Sequence, residues 1–187
     1  PRFFLPFIVQ KKCFPGGGGN KSGNGDIVQS LFFSPKQATA GGWVWGVGPA
    51  LLLPTASDKV LGSEKWGVGP TAVALKQEKG LTFGGLLNHI SSVAGDDDRT
   101  DINSTLIQPF VGFTTKTHTS YGANTEATYD WEAEKWSVPV HLSVTQLLKV
   151  GNQPISIKAA IRHWLDSPET GPEGTGFRLV ATFLFLK

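Results

Sequence analysis

With 187 residues, of which 40% are hydrophobic and 17% charged, the chain is long enough for one folded domain and too apolar for wholesale disorder. A formal net charge of +2, with no basic cluster beyond Lys11–Lys12, leaves no electrostatic footprint for nucleic acid. No apolar run approaches the roughly 18–20 residues that a membrane-crossing helix needs.

Taken in chain order, alternating apolar and polar residues predict strands at 2–10, 25–35, 42–54, 66–77, 81–94, 102–115, 119–131, 134–148, 153–166 and 176–187. The clearest lies at 135–148, where Trp136, Val138, Val140, Leu142 and Val144 share one face and Lys135, Ser137, His141, Ser143 and Thr145 the other. The next repeats it, with Ile155, Ile157, Ala159, Ile161 and Leu165 set against Ser156, Lys158, Arg162 and Asp166. Val150, Gly151, Asn152 and Gln153 between them predict a hairpin. Connections at 36–41, 78–80, 116–118 and 149–152 are short, whereas those at 11–24, 55–65, 95–101 and 167–175 are longer and polar. This rhythm predicts an all-β fold: an antiparallel up-and-down transmembrane β-barrel of about 10 strands, a single domain over 1–187. Its tight turns would face the periplasm. A water-soluble β-sandwich or small barrel shares the alternation and is the alternative.

Six tryptophans, twelve phenylalanines, twenty-three glycines and no methionine suit strands and interfacial aromatics better than helices. Trp66, Trp131, Trp136, Trp164 and Tyr129 fall at the long-loop ends of their strands, and Trp43, Trp45 and Tyr121 at the short-turn ends. Two such belts are what tryptophan and tyrosine form at membrane–water interfaces. One local repeat occurs: Trp45-Gly-Val-Gly-Pro49 returns as Trp66-Gly-Val-Gly-Pro70, with Trp, Val and Pro on one face and the glycines on the other. The glycines would either leave room in the interior or let the sheet curve. Pro49, Pro70, Pro109 and Pro139 inside strands conflict with an ordinary ladder, because proline has no donor.

If the apolar faces look at lipid, the opposite faces line a lumen. Gln108, Asn124, Glu126, Thr128, Asp130, His141, Lys158, Arg162 and Arg178 then face inward, as acids and bases on neighbouring strands. Such a network satisfies polar groups in a narrow interior, or sets charge selectivity along a pore. Phe110, Leu184 and Leu186 on the same faces would suit a hydrophobic solute. No catalytic role is expected of these residues, so the chain reads as a non-enzyme. His89 and Ser91, two apart on one face, place a base beside a nucleophile; the spacing is similar to that in outer-membrane lipid A deacylases, though no acid stands to orient the histidine. Asp96-Asp-Asp98 followed by Asp101 lacks the spacing of a calcium loop and reads as a solvated turn. Gly16–Gly19 lacks the Gly-Lys-Ser/Thr of a phosphate loop, the single Cys13 cannot form an internal disulfide, and His118, His141 and His163 are too far apart in sequence to suggest a metal site. No cofactor is expected. A start at Pro1 suggests that a secretion signal, and further mature residues, preceded it.

Several stretches resemble a family of proteobacterial outer-membrane proteins labelled, by a misnomer, neuromedin-U-like and related to meta-pathway phenol-degradation proteins. They are Gly25-Asp-Ile-Val-Gln-Ser-Leu-Phe-Phe-Ser-Pro35, Trp45-Gly-Val-Gly-Pro49, Leu61-Gly-Ser-Glu-Lys-Trp-Gly-Val-Gly-Pro70, Ile107-Gln-Pro-Phe110, Thr128-Tyr-Asp-Trp131 and Phe183-Leu-Phe185. The resemblance implies a barrel in the bacterial outer membrane with a transport role for small solutes, aromatic or hydrophobic compounds among them, and about 12 strands in a complete protein. It supplies no catalytic residues. The terminal Phe183-Leu-Phe-Leu-Lys187 departs from the usual ending of outer-membrane proteins, where an aromatic is the last residue. Expected partners are outer-membrane lipids, lipopolysaccharide and a small-molecule solute; the alternative is a structural barrel whose loops bind a partner or lipopolysaccharide.

Overall fold

The computed structural model describes residues 2–4, 7–10, 21–151, 153–169 and 171–183. Lys11–Lys12, Cys13, Gly16–Gly19, Leu184, Leu186 and the last part of the C-terminal motif lie outside the described residues. The strands are β1 (Arg2–Phe4), β2 (Phe7–Gln10), β3 (Lys21–Asn24), β4 (Ile27–Ser30), β5 (Trp43–Leu53), β6 (Lys65–Glu78), β7 (Leu81–Gly95), β8 (Asn103–Thr114), β9 (Thr119–Thr125), β10 (Ala127–Asp130), β11 (Lys135–Val150), β12 (Gln153–Asp166) and β13 (Thr175–Phe183). One turn of 3-10 helix, Lys59–Leu61, lies between β5 and β6. No α-helix occurs among the described residues.

One antiparallel sheet runs β1-β4-β5-β6-β7-β8-β10-β11-β12-β13, with β9 between β8 and β11 in line with β10. The last two share one register against β11, with Thr125 opposite Val140 and Thr128 opposite Ser137, so they are one strand interrupted at Glu126. The sheet is therefore about ten strands wide, as the alternation predicts. The N-terminal region departs from that reading. Residues 2–10 divide into β1, which pairs with β4, and β2, which pairs with β3 in a separate two-stranded ladder drawn from the segment expected to be loop. The sequence carries Pro6 between β1 and β2, a residue with no amide hydrogen for a continuous ladder.

Local chemistry explains the connections. β6 and β7 are joined by Lys79-Gly80, both at positive φ (48° and 87°), the conformation that matches the twist of a two-residue hairpin. The β11–β12 hairpin closes with Val150 opposite Gln153. The long-loop rim is fastened by side chains instead. The Asp26 carboxylate accepts hydrogen bonds from the amides of Ala56 and Ser63 (3.1 and 2.6 Å) and from the Ser63 hydroxyl (2.7 Å). Arg99 donates to the carbonyls of Lys59 (2.9 Å) and Gly62, and its Nε lies 3.5 Å from Glu64.

The sheet curls: Val28 and Ser30 of β4 and Arg162 and Trp164 of β12 line a single interior cavity of about 360 Å³. Among the described residues β1 and β13 each have one hydrogen-bonded neighbour and form the sheet edges. Little apolar surface is buried inside the curl. Leu52, Leu86 and Ile90 are buried there with Ala50, but so are Ser30, Thr71 and Asn88. The large apolar residues face out: Leu87 is 48% exposed, Leu142 54%, Leu165 66% and Phe177 85%.

The four strand prolines singled out by the sequence sit at lapses or irregularities of the ladder. Pro49 and Pro70 face each other in the β5–β6 ladder. The Pro49 carbonyl accepts from Leu31, so its backbone is turned away from β6, toward a segment where β4 has already ended and a lone bridge joins Phe33 to Val47. On the other side β6–β7 pairing lapses between Val68 and Thr71. Pro109 lies in the gap between the β8–β10 and β8–β9 ladders, and Pro139 at a register shift against β12. The repeated glycines serve the same places. A Cβ on Gly48 would overlap the Leu31 carbonyl, and one on Gly69 the His89 carbonyl, so each copy of the repeat lets the neighbouring backbone approach closely.

Candidate functional site: the polar interior

The period of two in β8–β13 sorts every second side chain to the concave side, where apolar and basic residues meet. A second cavity there, about 210 Å³, is lined by Gln108, Asn124, Glu126, His141, Lys158, Arg162 and Arg178. Seven of the nine residues that the sequence places in a lumen thus come together around one space, and Thr128 lines the adjoining 360 Å³ cavity. Asp130 is elsewhere. It stands exposed at the long-loop rim, its Oδ1 accepting the amides of Glu132 (2.9 Å) and Ala133 (3.1 Å), and so shapes the β10–β11 turn.

Geometry ranks the interactions within this space. Gln108 donates its Nε2 to Glu126 Oε1 at 3.3 Å, and His141 Nε2 is 3.8 Å from the other carboxylate oxygen. Glu126 occupies the break between β9 and β10, where its own amide reaches the Pro139 carbonyl at 3.4 Å. Arg162 stands opposite His141 across β11–β12, and its Cζ lies 5.2 Å from the centre of the Trp164 ring. Lys158, Arg162 and Arg178 all act electrostatically on His141, yet no carboxylate among the described residues lies within ion-pairing distance of any of the three. Glu126 is therefore outnumbered.

Sequence reasoning missed several contributors. Trp164 is at the long-loop end, but its ring lines the interior rather than the outer aromatic belt. Asn88, nine-tenths buried, lines the same 360 Å³ cavity with its Oδ1 lacking a hydrogen-bond partner. Its place between Leu86 and Ile90 on one strand face was legible from parity alone. Five other aromatics pack among themselves near the strand ends: Tyr129 against Trp131 and Trp136 at 4.8 and 5.0 Å, and Trp43 edge-on against Phe83 at 5.4 Å.

Two other sequence features can be placed. Ser91 Oγ is 3.4 Å from His89 Nε2, and the other ring nitrogen meets the Thr105 hydroxyl at 2.9 Å rather than a carboxylate. Asp96 turns its carboxylate onto the amide of Asp98 (3.0 Å), and Asp101 pairs with Lys65 (2.9 Å) and accepts from Ser92 (3.0 Å). Among the described residues no group of three metal-ligating side chains forms. Comparison with models of protein families, with curated proteins and with solved structures yields no match.

Proposed function

We infer that the chain forms an outer-membrane β-barrel that conducts small solutes through a narrow polar interior. The observation that carries this reading is its inverted polarity: large apolar side chains cover the convex side of the sheet while amide, carboxylate and basic groups gather on the concave side. A water-soluble sheet of this width would hide its apolar face, because exposed contiguous apolar surface beyond a few hundred Å² invites association. Lipid hydrocarbon removes that penalty, and an antiparallel sheet then meets its own backbone needs by strand pairing. Aromatic groups at both ends of the strands support the same reading, as does the contrast between tight turns on one rim and tethered loops on the other. The resemblance of its motifs to neuromedin-U-like outer-membrane proteins supports the same reading, with outer-membrane lipids and lipopolysaccharide as the surroundings it implies.

The test is refolding into lipid vesicles followed by single-channel recording in planar bilayers. Discrete conductance steps, altered in Glu126→Ala and Arg162→Ala, are expected. A folded, vesicle-inserted protein that never conducts would instead make it a structural barrel that presents its loops.

A second reading rests on the 3.4 Å contact between Ser91 and His89, which suits a hydrolase of lipid esters. It requires esterase activity in the reconstituted protein that Ser91→Ala abolishes.

A further inference from the structure

We propose that the interior is an anion path with a defined binding site, and that its solute is an organic monocarboxylate with a short apolar body. This rests on the conduit reading and names its substrate class.

The first observation is the arrangement of the three unpaired cations. Arg178 faces Ala160 across β12–β13, and Lys158 and Arg162 flank Ala160 two residues to either side on the same face. Arg178 is thus a diagonal neighbour of both, at the roughly 7–8 Å separation of such pairs. Three like charges that share a cavity with one carboxylate, Glu126, and ion-pair with none repel one another, and the cost rises where protein replaces water. An anion seated among them turns that repulsion into attraction. The guanidinium of Arg162 adds the paired donors that fit a carboxylate in two places at once.

The second observation is what adjoins the cations. The 210 Å³ cavity and the 360 Å³ cavity share Gln108, Glu126 and Arg162, so Arg162 stands at their junction. Away from that junction the larger cavity is walled by Val28, Leu86, Ile90, Leu106, Pro139 and Trp164, with small hydroxyl side chains and the Asn88 amide between them. A bare inorganic anion leaves this wall wet or empty. A carboxylate on Arg162 with an alkyl or ring body lying toward Leu86 and Ile90 fills it, as ligand cavities with an apolar lining and a few convergent polar groups do.

Glu126 makes the proposal distinctive. Its carboxylate borders both cavities and would repel the solute, and among the described residues Gln108 and His141 make the side-chain contacts to it. Removing its charge should therefore tighten binding, whereas removing that of Arg162 should weaken it. A merely structural network would lose in both cases.

The experiment uses the refolded full chain in zwitterionic detergent and in planar bilayers. Hexanoate binding is measured by calorimetry, beside hexanol and inorganic phosphate, and reversal potentials are taken under a potassium chloride gradient. Expected are saturable hexanoate binding, little binding of hexanol or phosphate, and anion selectivity. Arg162→Gln should weaken hexanoate at least about tenfold, as loss of a charge-assisted hydrogen bond does, Glu126→Gln should strengthen it, and Lys158→Gln with Arg178→Gln should move the reversal potential toward cation selectivity. Hexanoate binding without any conductance would keep this site and reject the conduit. Conductance that is cation-selective, or indifferent to these variants, with no hexanoate binding, would keep the conduit and overturn the site. Equal binding of hexanol or of phosphate overturns the proposed solute class.

Discussion

The ammonium of Lys65, almost wholly buried, lies 2.9 Å from the carboxylate of Asp101, which is largely exposed. The partners are unequal, so their loss should be too. Asp101→Asn leaves a buried charge without its counter-charge, whereas Lys65→Met leaves a carboxylate that water already solvates. Asp101→Asn is therefore expected to lower the unfolding midpoint more than Lys65→Met in vesicle-reconstituted protein. Equal effects would contradict the asymmetry.

The same pair sets a pH dependence. Hydrogen bonds from Lys65 and Ser92, then the Lys65 charge, hold the Asp101 carboxyl below the usual carboxylate range. A depressed folded value means that the stabilisation is complete above the ordinary aspartate range near about 4 and is lost as pH falls through the lower, folded value. The β7–β8 rim should stay protected at neutral pH and loosen only in acid. Amide exchange at Ile102, which donates to Ser92 Oγ at 3.1 Å, reports it; loosening already at pH 6 would contradict this origin.

Bilayer insertion has a direct mutational signature. Leu142 lies midway along β11 and is 54% exposed on the outer face, whereas Ser143 faces the interior. Leu142→Arg should cost about 2–4 kcal/mol in lipid vesicles, as cationic substitutions at the midplane of lipid-facing strands do. Ser143→Lys should cost far less. In a water-soluble sheet the order reverses, since an arginine at an exposed position is harmless there.

The repeated glycines should be far less replaceable than those at the periphery. Gly48→Ala and Gly69→Ala set a methyl against the Leu31 and His89 carbonyls and are expected to cost about 1–3 kcal/mol each. Gly176→Ala meets nothing within 4 Å and should be close to neutral. Urea titration of the refolded proteins compares them.

Asp130 and Glu126 should separate by function. Asp130→Ala removes a turn cap, for about 1 kcal/mol of stability, and should leave ion selectivity unchanged. Glu126→Ala should change selectivity with a smaller effect on folding. Selectivity shifted equally by both would place Asp130 in the path after all.

The strand frame was legible because a period of two survives any detail of packing: β5 to β8 and β11 to β13 fall within a few residues of their expected bounds. The interior set was legible for the same reason, since parity alone brings Gln108, Glu126, His141, Lys158, Arg162 and Arg178 to one side. Three things were not. Parity says nothing of where along a strand a turn captures a side chain, which is how Asp130 leaves the interior. It cannot tell an interfacial tryptophan from one that stacks on a cation, as Trp164 does. Nor does it find ties between loops distant in sequence, such as Asp26 to Ser63 or Arg99 to Lys59.

The two facing prolines also discriminate against wrong pairings. A strand with one greasy face can slip along its neighbour by two residues and keep every side chain on its proper side. In β5 and β6 such a slip would carry Pro49 and Pro70 away from each other and away from the lapses on their outer flanks, setting donor-less nitrogens against carbonyls that then go unmatched. The observed alignment keeps both prolines beside those lapses, so they act as a ratchet tooth that favours a single alignment of the ladder.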